Sequence, residues 1–282
     1  MIKDFVAIIM SNGRPKNVYT YNTLKKQGYT GNIIVLIDDE DTELNNYKDK
    51  FKEELKIFNK NDIEKRFDTY DNFKNKKCIV YSRNACFDVA KKLGYKYFIE
   101  LDDDYTRFQF MFDKDFNFTN KRKKINNLNN IFAYMLDFFK NTNLVSLSMA
   151  QGGDFIGGKK CNVWRSKFSR KSMNSMIHSI ERKITYNGRI NEDVNTYTNL
   201  GGLGFLFHTI KYIALIQKPT QKQKGGMTDM YLNSGTYVKS FYTIIANPSC
   251  SFVTCMGKKK RLHHNIKWNN AVPKIIDEKY KK

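Results

Sequence analysis

The chain has 282 residues, of which 41% are hydrophobic and 14% aromatic, so it can fill a large core and is not a disordered tail. Its 5 cysteines are an odd number without the paired spacing of a metal finger, which favours reduced thiols over a disulfide framework. The apolar runs are of strand length and the N-terminus lacks a signal-type segment, so we expect a cytoplasmic protein with no membrane partner.

The net charge of +21 is distributed unevenly along the chain. Residues 1–113 carry 20 lysines and arginines against 19 acidic residues, whereas residues 114–282 carry 29 against 9. Basic clusters recur in the second part, at Lys121–Lys124, Lys218–Lys224 and Lys258–Arg261. This pattern favours a surface that faces a polyanion such as nucleic acid, and a generally basic, soluble surface is the alternative.

Strands alternate with helices over the first half of the chain, which predicts a parallel α/β sheet. The predicted elements, in chain order, are a strand Phe5–Met10, a helix Val18–Gln27, strands Ile33–Ile37 and Cys78–Tyr81, a helix Arg83–Leu93 with Ser82 as N-cap, a strand Tyr97–Leu101, a helix Asn126–Phe139, and strands Leu144–Met149 and Phe241–Ala246. No linker, internal repeat or low-complexity stretch divides the chain, so we expect a single domain over residues 1–282.

Three aspartates, Asp102, Asp103 and Asp104, follow directly after the apolar run Lys96–Leu101. Three carboxylates cannot enter a core unpaired, so they must emerge at the C-terminal end of the strand, where α/β sheets place ligands. Two carboxylates one residue apart can hold a hard divalent cation that keeps open positions for phosphate oxygens. A solvated acidic turn is the alternative.

Two further predicted strands end in polar residues, Ser11–Arg14 and Asp38–Asp39, and a parallel sheet would bring all three ends to one rim. A nucleotide fits this arrangement, because carboxylates and amides can bind base and ribose while a metal binds the phosphates. The chain has neither Gly-x-Gly-x-x-Gly after its first strand nor a phosphate-loop motif, which argues against a dinucleotide-dependent dehydrogenase and a P-loop ATPase.

The order of the motifs resembles that of the GT-A glycosyltransferases, whose metal-binding Asp-x-Asp holds a nucleoside diphosphate sugar. Here Asp102–Asp104 is followed by the glycine loop Gly152–Gly158, by Asn191–Asp193, which resembles the family's x-Glu-Asp motif, and by Arg261–His264, which resembles its C-terminal metal-binding histidine. The resemblance implies an α/β, GT-A fold with a Rossmann-like mixed, mostly parallel sheet flanked by helices. It also implies that residues 1–113 bind the nucleotide sugar and residues 114–282 the acceptor.

More narrowly, the chain is similar to the phage and base-J-type glycosyltransferases associated with TET/JBP dioxygenases, which are implicated in adding sugar to hydroxymethylated pyrimidines in DNA. The likeness covers nearly the whole chain and rests on Ser11–Pro15, Ser82–Cys86, Leu101–Tyr105, Ala150–Gly158, Gly188–Thr196 and Gly225–Asp229. Asn12 stands where the turn of that family has an arginine. A phage-encoded member would act in the host cytoplasm.

By this resemblance, Asp102, Asp104 and His263 are metal ligands for Mn²⁺ or Mg²⁺, with His264 as the alternative to His263. Asp193 is the candidate general base and Glu192 supports it or contacts the sugar, the alternative being an acidic pair on the surface. The expected donor-binding residues are Ser11, Asn12, Arg14, Asp39, Arg83, Asn84, Asp103, Gly152 and Gly153, with a surface cap as the alternative role of Arg83 and Asn84. The expected DNA contacts are Trp164, Arg165, Lys167 and Arg170, since aromatic rings and cations suit base stacking and phosphate binding.

The sequence thus predicts a metal-dependent glycosyltransferase that moves a hexose, glucose from UDP-glucose, onto 5-hydroxymethylpyrimidine in DNA with inversion. Two enzymatic alternatives are a GT-A enzyme acting on protein, tRNA or polysaccharide, and a nucleotidyltransferase that consumes a nucleoside triphosphate. The non-enzymatic alternative is a basic nucleic-acid-binding protein whose aspartates are structural. The identity of the sugar, the choice between hydroxymethyluracil and hydroxymethylcytosine, and retention of the anomeric configuration stay open.

Overall fold

A computed structural model describes residues 3–161, 171–218, 237–256 and 260–271, with the backbone alone described at residues 120–122. The strands are β1 Phe5–Met10, β2 Asn32–Asp38, β3 Leu55–Phe58, β4 Tyr97–Asp102, β5 Tyr105–Phe112, β6 Phe118–Lys124, β7 Leu144–Gln151, β8 Met176–Ser179, β9 Leu206–Gln217, β10 Ser251–Met256 and β11 Arg261–Ile266. The α-helices are α1 Tyr19–Lys26, α2 Leu44–Phe51, α3 Lys60–Glu64, α4 Val80–Lys92, α5 Leu128–Lys140, α6 Glu192–Gly202 and α7 Lys239–Ala246.

Within these residues, one nine-stranded sheet in the order β3-β2-β1-β4-β8-β7-β9-β5-β6 forms the centre of the molecule. Strands β3, β2, β1 and β4 are parallel neighbours, as are β7 and β9. Only β8 and β5 run against the common direction of the other strands of this sheet. The predicted fold class, α/β with a mixed, mostly parallel sheet flanked by helices, is confirmed. A separate antiparallel pair, β10 and β11, contacts α7.

Both faces of the sheet are covered by helices, which explains why its strands read as continuous apolar runs. All six residues of β1 are buried. Alternate residues of β1 point to opposite faces, so Phe5, Ala7 and Ile9 pack with α1, α2 and α5, while Val6, Ile8 and Met10 pack with α3, α4 and α6. The core is therefore two layers that sandwich the sheet, and the loops at the strand ends are left free for a site.

Two predicted strands are helical in the structure. Cys78–Tyr81 is not a strand, because α4 already begins at Val80, and its apolar residues recur at helical spacing along the face that packs on the sheet. Ser82 therefore lies inside α4 and is not its N-cap.

Phe241–Ala246 belongs to α7, although its aromatic and β-branched residues are typical of a strand. The buried face of this helix is polar. The Ser240 hydroxyl donates to the carbonyl of Leu262 at 3.1 Å, and the Ser251 hydroxyl donates to the carbonyl of Thr243 at 2.9 Å. The apolar side chains of Phe241 and Ile245 are exposed instead. Contacts with residues far along the chain thus determine that this segment is helical, and the local sequence pattern does not reveal those contacts.

All five cysteines are free thiols, in agreement with the expectation of reduced thiols. Cys86, Cys161 and Cys250 are buried, Cys78 is half-buried, and Cys255 on β10 is exposed. Among the helices of the described ranges, none combines the length and the apolar character that crossing a membrane would require.

Candidate functional site

The C-terminal ends of β1, β2 and β4 meet at one rim of the sheet, as the sequence predicts. Met10, at the end of β1, lies in register with Leu36 of β2 and Asp102 of β4. The residues that follow these strands contact one another: the Asn12 amide donates to Asp38 at 3.0 Å, and the Ser11 hydroxyl donates to Asp103. A polar rim therefore exists at the place where α/β sheets bind ligands.

Asp103 faces the interior of this rim and is fully buried. Its two carboxylate oxygens accept hydrogen bonds from the Arg14 guanidinium, at 2.7 Å from Nε and 2.6 Å from Nη2. The Ser11 hydroxyl also donates to Asp103 and lies 2.7 Å from the hydroxyl of Tyr47. These contacts hold the turn after β1 against the aspartate triplet, so Ser11, Arg14 and Asp103 in this structure bind one another.

Asp102 and Asp104 lie on the more open side of the rim, and both are partly exposed. The Oδ1 atom of Asp104 is buried and has no hydrogen-bond partner. Burial, together with the charges of Asp102 and Asp103, raises the pKa of Asp104 to about 7. An unpartnered carboxylate oxygen beside a second carboxylate is a donor set that suits an oxygen-preferring divalent cation.

The described residues contain no group of three or more His, Cys, Asp or Glu side chains placed to hold a metal ion. His263 therefore does not join Asp102 and Asp104 in a three-ligand set here. A cation at this rim would rest on two protein carboxylates, with its other positions left to phosphate oxygens and water.

Arg83 is the centre of a buried network that links the rim to α6. It is 2% exposed, and its guanidinium lies 2.7 Å from Glu192 Oε1, 3.2 Å from Asp102 Oδ1 and 3.4 Å from Glu100 Oε2. The predicted helix start at Arg83 is wrong, because α4 begins three residues earlier, and the side chain points inward; its donor-binding role stays a prediction. Arg83 instead positions Asp102 and Glu192 relative to each other.

The carboxylates of this network outnumber its single guanidinium. Burial raises the pKa of Glu100 to about 8 and that of Glu192 to about 7, although the charge of Arg83 opposes both shifts. The Oε1 atom of Glu100 has no hydrogen-bond partner. Both carboxyls therefore titrate close to neutral pH.

Glu192 and Asp193 form the first turn of α6 behind Asn191, which has a left-handed backbone conformation with φ 57°. Both acids are buried, 6% and 8% exposed, so they are not an acidic pair on the surface. Asp193 Oδ1 accepts a hydrogen bond from the backbone of Val194 at 2.7 Å, and burial raises the pKa of this carboxyl, with Arg83 and Lys171 opposing the shift. A carboxylate held this way, with its second oxygen unbonded to any described residue, is suited to accept a proton.

Asn84 and Asp39 make internal contacts. The Asn84 amide donates to the carbonyls of Val80 and Tyr186, both at 3.0 Å, and accepts from the backbone of Tyr186 at 2.9 Å. Asp39 accepts from the Asn59 amide at 2.7 Å and from the backbone of Lys60 at 3.0 Å. The structure therefore uses Asn84 to hold α4 against the segment before α6, and Asp39 to fasten the start of α3.

Gly152 and Gly153 lie in an exposed 3₁₀ turn, Gly152–Phe155, directly after β7. A Cβ atom at either glycine would meet no other atom within 4 Å, so the protein itself does not require glycine there. The turn is capped by reciprocal hydrogen bonds between Gln151 and Asp154. Open space above it leaves room for a ligand to approach the backbone.

His263 and His264 lie side by side on β11, with ring centroids 4.6 Å apart. His264 Nδ1 lies 3.3 Å from the amide nitrogen of Asn191, which directly precedes Glu192. Because an amide nitrogen donates, this nitrogen of His264 is an acceptor, and burial lowers the pKa of the ring to about 4. The contact brings His264, rather than His263, to the start of α6.

The family model of TET-associated glycosyltransferases matches residues 5–226, which is more than three quarters of the chain. The chain belongs to the TET-associated glycosyltransferase family. The predicted family is thereby confirmed, and the mixed, mostly parallel α/β sheet agrees with the fold class expected for it.

Solved structures similar to this glycosyltransferase include Staphylococcus aureus TarS, as its 1–349 fragment and as a longer chain, each at 12% identity over 75% of the present chain, with TM-scores of 0.43 and 0.45. The present chain spans 60% of the TarS fragment and 36% of the longer chain. Glucosyl-3-phosphoglycerate synthase from Mycobacterium tuberculosis, in complex with Mg²⁺ and UDP, matches at 6% identity, covering 93% of this chain and 87% of the synthase, with a TM-score of 0.47. A comparison with curated proteins found no significant match.

The four DNA-contacting residues predicted for the glycosyltransferase, Trp164, Arg165, Lys167 and Arg170, lie outside the described residues. Sequence reasoning missed Glu100, Lys171 and Lys239, which all contribute charge at the site. A signal for Glu100 was present, because a carboxylate inside the buried run Tyr97–Leu101 requires a cationic partner. No comparable signal exists for Lys171 and Lys239, whose position depends on how distant elements pack.

Proposed function

We propose that this glycosyltransferase moves a hexose, glucose from UDP-glucose, onto the hydroxyl of 5-hydroxymethylpyrimidine in DNA, in a metal-dependent reaction that inverts the anomeric centre. The observation that carries the catalytic part is the joining of Asp102, Arg83 and Glu192 in one buried network, with Asp193 next to Glu192 at the start of α6. This network connects the acidic rim of the sheet to a carboxylate suited to act as a base. The acceptor is supported by the TET-associated family and by the basic second part of the chain.

Asp102 and Asp104 would hold Mn²⁺ or Mg²⁺, and His263 stays a candidate ligand. The bound cation would neutralise negative charge on the departing diphosphate. Arg83 keeps Asp102 oriented towards this position through its contact at 3.2 Å. The open turn at Gly152 and Gly153 lies free for the sugar or the acceptor.

Asp193 acts as the general base in this proposal. The acceptor hydroxyl gives its proton to a carboxylate oxygen of Asp193 while its oxygen forms a bond to the anomeric carbon. The bond between that carbon and the diphosphate oxygen breaks, and its electron pair leaves with the diphosphate. A pKa raised by burial makes Asp193 a stronger base than an exposed aspartate.

Mass spectrometry of nucleosides tests this proposal. The protein is incubated with Mn²⁺, a panel of nucleotide sugars, and DNA carrying hydroxymethyluracil, hydroxymethylcytosine or no modification. We expect one hexose to be added to modified bases only, and at least ~100-fold loss of rate in Asp104→Asn and Asp193→Asn, because each removes a charge at the reacting groups. Asp62→Asn, an exposed carboxylate on α3, is the matched control and retains full rate.

Three results would overturn the proposal. Sugar transfer to protein, tRNA or polysaccharide with equal rates on modified and plain DNA would assign a different acceptor. Consumption of nucleoside triphosphates would indicate nucleotidyl transfer. Salt-sensitive DNA binding without turnover of any donor would indicate a binding protein.

A further inference from the structure

Exposed aromatic side chains gather near the β6 edge of the sheet, where residues of α5, β5 and β9 line a cavity of about 610 Å³. Phe116 is 67% exposed and Tyr134 is 73% exposed, and Phe138 and Tyr212 are exposed as well. Together with Phe112, these residues lie in the wall of the cavity. We call these five residues the aromatic surface.

The aromatic surface is separate from the acidic rim. Strand β5 begins at Tyr105, directly after the aspartate triplet, and runs from the rim towards the opposite end of the sheet. At about 3.3 Å per residue, Phe112 lies roughly 20 Å along this strand from Tyr105. A ligand of the aromatic surface is therefore distinct from the metal, the sugar donor and the reacting hydroxyl.

The rings are arranged so that a further planar ring can join them. Phe112 and Phe116 are stacked, with centroids 5.3 Å apart and an angle of 14° between their planes. Tyr212 packs edge-on against Phe112 at 5.4 Å. Since Phe116 is the more exposed member of the stack, a nucleobase laid on its ring would continue the stack.

Phe116 is held in place at a conformational cost. Its backbone has φ 58°, a left-handed conformation that bulky residues rarely adopt. The turn around it is fixed by Asp113, whose carboxylate accepts hydrogen bonds from the backbone of Asp115 at 3.0 Å and of Asn117 at 2.9 Å. A glycine would adopt this conformation without strain, so the exposed phenylalanine serves something other than the turn itself.

The charges around the aromatic surface suit a polyanion. The residues that line the cavity include Lys211 and no acidic side chain, and Lys211 Nζ lies 5.4 Å from the ring centroid of Tyr212. Lys123 of β6 is exposed and lies opposite Phe110, another residue of the cavity wall, so both point to the same face of the sheet. Aromatic rings bordered by cations are the means by which proteins bind single-stranded nucleic acid, the rings stacking on bases and the cations contacting phosphates.

We infer that the aromatic surface binds a single-stranded segment of the acceptor DNA, away from the nucleotide that receives the sugar. This inference rests on the proposed function, because it takes DNA as the polymer. Bases stack on Phe116 and Tyr134, while Lys123 and Lys211 contact phosphates. The enzyme would then prefer long single strands to short ones, since only a long strand reaches both the reacting site and the aromatic surface.

Binding of unmodified DNA in the absence of a sugar donor tests the inference. Fluorescence anisotropy gives the Kd of a labelled oligo(dT) of about 20 nucleotides, long enough for a strand-binding groove, and of a duplex of the same length. The variants are Phe116→Ala, Phe116→Leu, Tyr134→Ala and Lys123→Gln. Phe73→Ala is the matched control, because Phe73 is a 56% exposed phenylalanine in the loop before α4.

We expect Phe116→Ala and Tyr134→Ala each to raise the Kd of the single strand about tenfold, the size expected for loss of one base stack. Phe116→Leu weakens binding nearly as much, because leucine keeps an apolar side chain but has no ring. Lys123→Gln weakens binding more at low salt than at high salt. The Kd of the duplex, and the KM of a hydroxymethylated trinucleotide that is too short to span the distance, stay unchanged.

Other outcomes would overturn the inference. Wild-type affinity in Phe116→Leu would indicate apolar docking of a peptide instead of stacking, and equal losses for the duplex or in Phe73→Ala would remove its specificity. Unchanged affinity for the single strand, together with loss of a dimer in analytical ultracentrifugation, would assign the surface to a second copy of this chain. If one variant fails to fold, the other carries the test, because Phe116 and Tyr134 belong to different elements.

The two proposals fail in different ways. If the aromatic variants weaken binding of single strands but no sugar reaches DNA, the proposed function falls and the aromatic surface stands. If DNA is glycosylated and the variants keep the wild-type Kd for the single strand, the aromatic surface falls and the proposed function stands.

Discussion

Arg83 shows how one side chain decides the geometry of the whole site. It lies within hydrogen-bond or ion-pair distance of carboxylates from β4 and α6, and no other cation in the described residues contacts Glu100, Asp102 or Glu192. A buried charge is stable only when it is paired, so the buried carboxylates of Glu100 and Glu192 require this arginine as their partner. Lysine would not replace it, because the planar guanidinium spreads its donors over three carboxylates and a compact ammonium cannot.

Replacing Arg83 by methionine removes the charge and keeps most of the apolar stem. We expect unfolding free energy to fall by about 3–5 kcal/mol, since uncompensated buried carboxylates remain. Urea unfolding followed by circular dichroism measures this loss. Arg66→Met is the control, because Arg66 pairs with Asp88 at the surface and an exposed pair contributes only about 0–1 kcal/mol. Equal losses in both variants would show that Arg83 is not the pairing centre of the network.

Sequence patterns were most informative for residues at strand ends and least informative for residues inside helices. Asp102 to Asp104 could be placed because an apolar run must deliver its carboxylates to a rim. The buried state of Glu192 and Asp193, and the inward direction of Arg83, depend on contacts between residues 109 positions apart. No local pattern encodes such a distance, so neither the position of Arg83 inside α4 nor the inward direction of its side chain could be predicted from the sequence.

At the scale of single elements, β8 is the strand that differs most from a uniform parallel sheet. It lies antiparallel between β4 and β7, and its His178 is fully buried. One ring nitrogen lies 2.9 Å from the carbonyl of Val145, which can only accept, and the other lies 2.7 Å from the hydroxyl of Tyr186. The ring is therefore neutral, with its proton on Nδ1.

His178 should make stability depend on pH. Burial lowers its pKa from 6.5 to about 3, so the unfolded chain binds a proton below pH 6.5 that the folded protein does not bind until about pH 3. Its contribution is thus complete above pH 6.5 and is lost as pH falls, by about 1.4 kcal/mol per pH unit. Urea unfolding between those pH values measures this slope in the wild type and in His178→Gln, which does not titrate. Because other groups contribute equally to both proteins, an identical slope in the two would contradict the prediction.

Element prediction succeeded where apolar runs belong to the central sheet and failed where polar residues form the buried face. The six strand and helix predictions around β1, α1, β2, β4, α5 and β7 agree with the structure to within two residues at most ends. In α7, by contrast, Ser240 and Thr243 are buried while Ile245 is 60% exposed. Local propensity assigns the opposite preference to these residues, because their hydroxyls are satisfied by distant partners, Leu262 on β11 for Ser240 and Asn191 for Thr243.

At the scale of the whole molecule, the acidic rim and the proposed base come from different parts of the chain, which the central sheet brings together. The acidic rim comes from residues 1–113, while Asp193 and most of the excess positive charge come from the later part. Strands of both parts share the central sheet, since β5 pairs with β9 and β4 with β8. The sheet thus places a metal-suited acidic rim beside a cationic surface, which is the arrangement expected for an anionic donor and a polyanionic acceptor.

Binding of DNA by this surface should depend steeply on salt. With about five phosphate contacts, log Kd for a single-stranded oligonucleotide rises with log salt with a slope of about 3–4, because each contact releases counterions. Fluorescence anisotropy at a series of KCl concentrations gives the slope. UDP-glucose is the comparison ligand and its affinity changes less, since it carries only the charge of one diphosphate. If the Kd of the oligonucleotide did not change with salt, the basic residues behind the net charge of +21 would not contact the polymer.

The distribution of the thiols has a practical consequence for watching the enzyme at work. Cys255 is the exposed thiol of the five, and burial raises the pKa of half-buried Cys78 to about 12, which keeps it protonated and unreactive at neutral pH. Cys255 faces Leu262 across β10 and β11, and its neighbour Met256 is in register with Arg261. A maleimide fluorophore would therefore attach to the native chain at one place, on the strand pair that carries His263 and His264. Such a label would report each arrival of a substrate strand without any engineered anchor.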